Sequence, residues 1–134
     1  MRIHELLANL LIILLGVLGL FRGVEMITRD DEVLQNASNV YFRISQYVDI
    51  QSLGWLLVIS SLILILSVFF KSKSAYTLWI IGGVACGSIH LYYGFVATET
   101  AKFINTYYQN ITISLYQFIL AVMGVCLLWK TDKN

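Results

Sequence analysis

Proline is absent from this chain of 134 residues, and only 13% of its residues are charged. Without proline, the interrupted helices of many transporters lose their usual punctuation, so any kink has to come from glycine. The scarcity of charge, with 58% hydrophobic residues and a mean hydropathy of +0.75, excludes an ordinary soluble domain and makes the bilayer the expected solvent. Nine Lys and Arg face eight Asp and Glu. That near balance supplies no basic stripe for nucleic acid, so none is expected as a partner.

Cysteine and histidine are equally sparse. Cys86 and Cys126 fall at different depths in their predicted helices, too far apart for a disulfide, and read as buried thiols. His4 and His90 fall at opposite ends of the membrane, which excludes a bis-histidine haem within one chain. CxxC, HExxH, GxSxG, a phosphate-binding loop and a pair of intramembrane carboxylates are all missing. The expectation is therefore a protein that is not an enzyme, with no cofactor and no metal site. Residues 1–21 resemble a secretory leader in their basic start and leucine-rich middle, but no small-x-small cleavage site follows Phe21. They are read as part of a spanning helix.

Long apolar runs fill much of the chain. Leu6 to Phe21, Leu53 to Phe70, Tyr76 to Val96 and Ile111 to Trp129 have the length and composition of membrane spans. The first run reaches only about 24 Å at 1.5 Å per residue, so its helix must extend to about 4–27, which places Arg22 on it. The other helices are predicted over about 53–70, 75–98 and 111–130, in one integral membrane domain covering 1–134. Connections at about 28–52 and 99–110 are assigned to the outer side and a hinge at 71–74 to the inner side. The fold class is all-α: a polytopic four-transmembrane-helix bundle with a short amphipathic outer segment between helices one and two.

Charge sets the orientation. Arg2, Lys71, Lys73, Lys130 and Lys133 share one side, whereas the longer connections dilute Arg29, Arg43 and Lys102 with Asp30, Asp31, Glu32, Asp49 and Glu99. Both termini are predicted cytoplasmic, in a bacterial-type cell membrane. Aromatic residues mark both interfaces: Phe69, Phe70, Trp79 and Trp129 on the inner one, and Trp55, Tyr92, Tyr93, Tyr107 and Tyr108 on the outer. Between helices one and two, Val33, Ala37, Tyr41, Ile44 and Val48 recur at helical spacing, while Val40, Phe42 and Ile44 alternate like a strand. A short surface helix is preferred, because an isolated strand leaves its backbone unpaired.

Small residues line particular faces. Glu5, Asn9, Ile12, Gly16, Gly19 and Gly23 fall within about 40° of one line along helix one. Gly19 and Gly23 form a GxxxG pair, as do Gly83 and Gly87 beside Gly82 in helix three, and such pairs let backbones approach where lipid offers no hydrophobic drive. Helix three is expected at the centre with helix one packed on it, although the same faces suit an interface between protomers. Polar residues gather at one depth. Arg22, His90, Tyr93, Tyr116 and Gln117 fall roughly 20 to 27 Å from the inner ends of their helices and, with Glu25 just beyond, form the candidate site layer. Glu25, one turn beyond Arg22, is its expected ion-pair partner, while snorkelling to the headgroups is the competing account of the arginine.

Two functions fit these features. The first is a small membrane protein that binds a partner in or beside the bilayer, as an accessory subunit or an immunity or exclusion factor. The alternative is a homo-oligomeric channel or small-solute pore lined by the polar layer of helices one, three and four. Expected partners are the bilayer itself, further copies of the chain or another membrane protein. Tetraspanins, claudins and the quinone-linked thiol oxidoreductases share the four-span plan, but the external segments here contain none of their cysteines.

Overall fold

The computed structural model describes residues 3–28, 40–100 and 104–133, and every element in them is helical. In chain order these are α1 (Ile3–Ile27), α2 (Val40–Ser45), α3 (Ile50–Ser67), α4 (Ser72–Thr100) and α5 (Ile104–Asp132). α1, α3, α4 and α5 are each long and apolar enough to cross a membrane, and together they form the expected four-helix membrane bundle. The short α2 stands between the first two spans.

Consecutive spans pack as antiparallel neighbours: α1 against α3, α3 against α4, and α4 against α5, whereas α1 and α5 barely meet. α4 is the least apolar of the four and the most enclosed, with half of its spanning window buried. It is the central helix. The expected packing of the first span on the third (α4) is corrected here, because the glycine face of α1 meets the second span, α3. A Cβ at Gly16 would lie 2.5 Å from Ile65 Cγ1, one at Gly19 2.2 Å from Ser61 Oγ, and one at Gly23 2.9 Å from the Gly54 carbonyl oxygen. α3 supplies its own glycine, Gly54, opposite Gly23, and Gly54 belongs to no GxxxG pair.

Heptad spacing explains why the spans lie side by side. Buried positions recur at Ile12, Gly16, Gly19, Gly23 and Met26 on α1, and at Gly54, Leu57, Ser61 and Leu64 on α3. On α4 they fall at Gly83, Gly87, His90, Gly94 and Ala97, and on α5 at Asn110, Ser114, Gln117, Ala121 and Gly124. Steps of three and four keep one seam facing the same neighbour over several turns. Small residues at those steps bring backbones together, which supplies the dispersion contacts that hold helices in lipid. At Gly87 the approach is close enough for Ser114 Oγ to donate to the glycine carbonyl at 2.8 Å. Gly82 faces the other way, toward Leu64 and the Ser60 carbonyl of α3.

Several boundaries differ from those predicted. α3 begins at Ile50 because the Asp49 carboxylate caps it by accepting the Ser52 amide at 2.9 Å, and an apolar window is blind to a cap. Its end comes at Ser67, where Val68, Phe69 and Phe70 turn back onto carbonyls three residues earlier. Phe69 and Phe70 therefore lie past the helix, exposed, and the hinge occupies 68–71 instead of 71–74. Ser72, with φ of 57°, starts α4. α5 begins at Ile104, about two turns before the predicted start at 111, because the polar run from Asn105 to Asn110 continues the helix. The connection predicted over 99–110 is correspondingly short. Lys73 and Asp132 form an ion pair that ties the start of α4 to the end of α5. The hinge and the two chain ends thus share one end of the bundle, and α2 occupies the other.

Within the connection after α1, α2 turns Val40, Tyr41 and Ile44 inward against α4 and α3. Val48, the last member of the predicted stripe, is exposed. Val33, Ala37, the acidic run Asp30 to Glu32, Arg2, Arg29 and Lys102 fall outside the described residues. Cys86 is buried, but Cys126 is exposed on the outward face of α5, which corrects its reading as a buried thiol.

Candidate polar clamp at the α2 end

Arg22 sits on α1 beside the seam with α3, and its side chain reaches α2 and α4. Nη1 donates to Glu25 Oε2 at 3.0 Å, to the Tyr41 hydroxyl at 3.2 Å and to the Tyr93 hydroxyl at 3.4 Å. The guanidinium carbon lies 4.6 Å from the centre of the Tyr93 ring, and the two tyrosine rings are 5.5 Å apart and tilted. One cation therefore joins three helices. Arginine suits the position because its flat, delocalised charge lies against a ring and forks to several oxygens at once. Its side chain is 22% exposed and that of Glu25 39%, so the pair stands at a rim and is only partly desolvated.

Burial, followed by the neighbouring Tyr93, pushes the Tyr41 phenol well above its ordinary pKa of 10.0, while Arg22 pulls the other way. Tyr41 is accordingly a neutral hydroxyl, able to accept from Arg22. Sequence reasoning placed Tyr41 on the α2 stripe but not in the site. Its 19-residue separation from Arg22 is bridged only by the tertiary fold, although a tyrosine on the inward face of an amphipathic helix is a polar tip in need of a partner.

The other members of the predicted layer divide. His90, buried on α4, donates through Nδ1 to the Cys86 carbonyl one turn back at 2.9 Å, which leaves Nε2 as its remaining polar atom. Gln117 is fully buried on α5 and oriented toward His90, yet its amide nitrogen and oxygen make no hydrogen bond of sound geometry among the described residues. Tyr116 is corrected: it is 49% exposed and turned away from the cluster. Depth alone grouped it with Gln117, but adjacent helical residues point about 100° apart.

Asn9, predicted on the packing seam, is half-buried and lines a cleft of about 660 Å³ at the opposite end, with Glu5, Ser67, Lys71 and Trp79. Of the two adjacent serines in the middle of α3, Ser60 donates to the Leu56 carbonyl of its own helix at 2.7 Å, whereas Ser61 reaches across to Cys86 Sγ at 3.5 Å.

Two clefts flank the clamp. One, of about 520 Å³, runs between α2 and α4 and is lined by Arg43, Gln46, Tyr47, Tyr92, Phe95 and Val96. The other, of about 150 Å³, lies where α1 and α5 fail to close, and Arg22, Glu25 and His90 form part of its wall. Between these clefts and the one at the far end, Ile12, Leu57, Leu64, Cys86 and Ile89 fill the middle of the bundle. No protein-family model, curated protein or solved structure matches this chain.

Proposed function

We propose that this chain acts by binding another membrane protein, through the groove between α2 and α4 on the outer side of the membrane. The observation that carries this reading is the use made of Arg22. Its hydrogen bonds go to Glu25, Tyr41 and Tyr93, and their effect is to hold α2 against α4. A helix of six residues has almost no stability of its own. Clamping it at a rim is useful when what it displays must keep its shape, and it displays an arginine and aromatic rings, the residue types that carry binding energy at protein interfaces. Tyr47, just after α2, is 80% exposed beside Arg43, Gln46, Tyr92 and Phe95. The packed apolar middle favours this reading over a pore through one protomer, and a conducting path would have to run between copies.

A photo-crosslinking residue at Tyr47 in native membranes tests the proposal, with one at lipid-facing Val122 as control. The expected result is a discrete adduct to a second membrane protein from position 47 that disappears with Arg22→Ala. Adducts to lipid alone, or only to further copies in a ring, would count against it.

A further inference from the structure

We propose that the chamber between α1 and α5 is a hydration site, an inlet that carries a short chain of ordered water from the α2 end of the bundle down to His90 and Gln117. The α2 groove opens between a different pair of helices, so neither reading rests on the other.

Three observations carry it. The first is a buried carboxamide. Gln117 is fully buried, and its amide nitrogen and oxygen both lack a hydrogen bond of sound geometry among the described residues. In a bundle surrounded by lipid, such a group has given up its hydrogen bonds to water without replacing them. Nor can it turn outward. A Cβ at Gly83 would lie 2.7 Å from the Gln117 carbonyl oxygen, and one turn earlier Ser114 Oγ donates to the Gly87 carbonyl at 2.8 Å, so α5 is fixed in rotation against α4.

The second is the neighbour. His90 is 1% exposed, lies beside Gln117 and forms part of the chamber wall. With Nδ1 donating to the Cys86 carbonyl, Nε2 is an acceptor. Cε1, the ring carbon bonded to both nitrogens, faces α1, 3.7 Å from a Cβ placed on Gly19. Gln117 brings a donor and an acceptor and His90 a further acceptor, so the molecule that joins them must both donate and accept. Water does, and it is small enough to enter between buried side chains.

The third is room and a polar path. The chamber measures about 150 Å³, several times what one water requires. Arg22, Glu25 and Gln109 stand at its mouth, with Leu18, Phe21 and Ile113 along its sides. Gln109 is exposed and the charged pair only partly buried, so the mouth meets the surface at the α2 end. The hydrogen bonds of Arg22 among the described residues all leave from Nη1, and Nη2 and Nε are donors for the first waters. From Asn110 to Gln117 the helix advances about 10 Å, the length of about three or four waters at ordinary O–H···O spacing. Past Gln117 the path ends, because Leu57, Cys86 and Ile89 fill the middle of the bundle.

Water-edited solid-state NMR of the whole chain in phosphatidylcholine bilayers tests this directly, with water itself as the probe. Expected is transfer of water magnetisation to the His90 ring and the Gln117 side-chain amide severalfold faster than to Leu57 and Cys86. Ile113→Trp, which fills the chamber from its α5 wall, should slow transfer to His90 severalfold while the helical circular-dichroism melt stays close to that of the wild type. Leu18→Trp fills it from the α1 wall and should do the same. Transfer to His90 and Gln117 as slow as to Leu57 in the wild type would overturn the proposal. So would fast transfer that persists in both filled variants, since the water would then arrive by another route, or magnetisation that reaches His90 from lipid acyl chains in place of water.

Discussion

At Arg22 a charge near membrane depth finds partners instead of escaping to the headgroups. Snorkelling and internal pairing make different demands: the first needs only a long side chain, the second needs oxygens and a ring held in place. The structure supplies Glu25, Tyr41 and Tyr93. Tyr93 contributes twice, through its hydroxyl and through its ring face. Tyr93→Phe should therefore cost only about 1 kcal/mol, the usual scale of one hydrogen bond, and Tyr93→Leu distinctly more, because the cation then loses the ring as well. Thermal unfolding in detergent of the two variants beside the wild type measures the difference. The pairing of Arg22 with Glu25 was legible from three-residue spacing on a helix, and Tyr93 from its depth. Tyr41 was not legible as a site residue, because no local pattern brings α2 over α1. Tyr116 was misplaced because depth along a helix says nothing about the direction around it.

Among the elements, apolar runs announced all four spans, but their ends are set by groups that hydropathy does not register. Asp49 is the plainest case. Its carboxylate accepts hydrogen bonds from Ser52, foremost from the hydroxyl and then from the amide, and its folded-state pKa lies below the ordinary 3.8. A depressed carboxylate adds stability that is complete above its unfolded value and fades as the pH falls through the lower folded one. Asp49→Asn keeps a good capping side chain and loses the ionisation. The variant should match the wild type at neutral pH and show a flatter acid limb below about pH 4, read by helical circular dichroism across a pH series.

Glycine contacts separate in the same way by what lies opposite them. A Cβ at Gly54 meets the Gly23 carbonyl and Met26 Cβ, both at 2.9 Å, and neither can step aside without moving a helix. At Gly19 the nearest atom is the Ser61 hydroxyl, which can rotate away. Gly54→Ala should thus destabilise the α1–α3 pair by about 1 to 3 kcal/mol, the range for overpacking, and Gly19→Ala by less. Unfolding melts of both variants would show the order, and a reversed order would mean that the α1–α3 seam is not as close as described. The GxxxG pattern revealed that α1 has such a face. It did not reveal the partner, because Gly54 is a lone glycine in an otherwise apolar helix.

For the whole molecule, the row of spans α1, α3, α4 and α5 leaves one side poorly closed and gathers its polar chemistry at the α2 end. The hinge, the chain ends and their lysines collect at the other. On the function proposed above, the bundle is a support and α2 is what it displays; Arg22, on α1, is the group whose hydrogen bonds reach both α2 and α4. Hydrogen exchange tests that coupling most directly, because an element of low intrinsic stability exchanges at the rate its tethers allow. The amides of residues 44–48, which carry the hydrogen bonds of α2 and of the turn after it, should lose protection by about tenfold or more in Arg22→Ala, the scale of one charge-assisted hydrogen bond, while those in the middle of α3 and α4 stay as protected as in the wild type. Unchanged protection of α2 in that variant would contradict the account, because Arg22 would then hold nothing that α2 depends on.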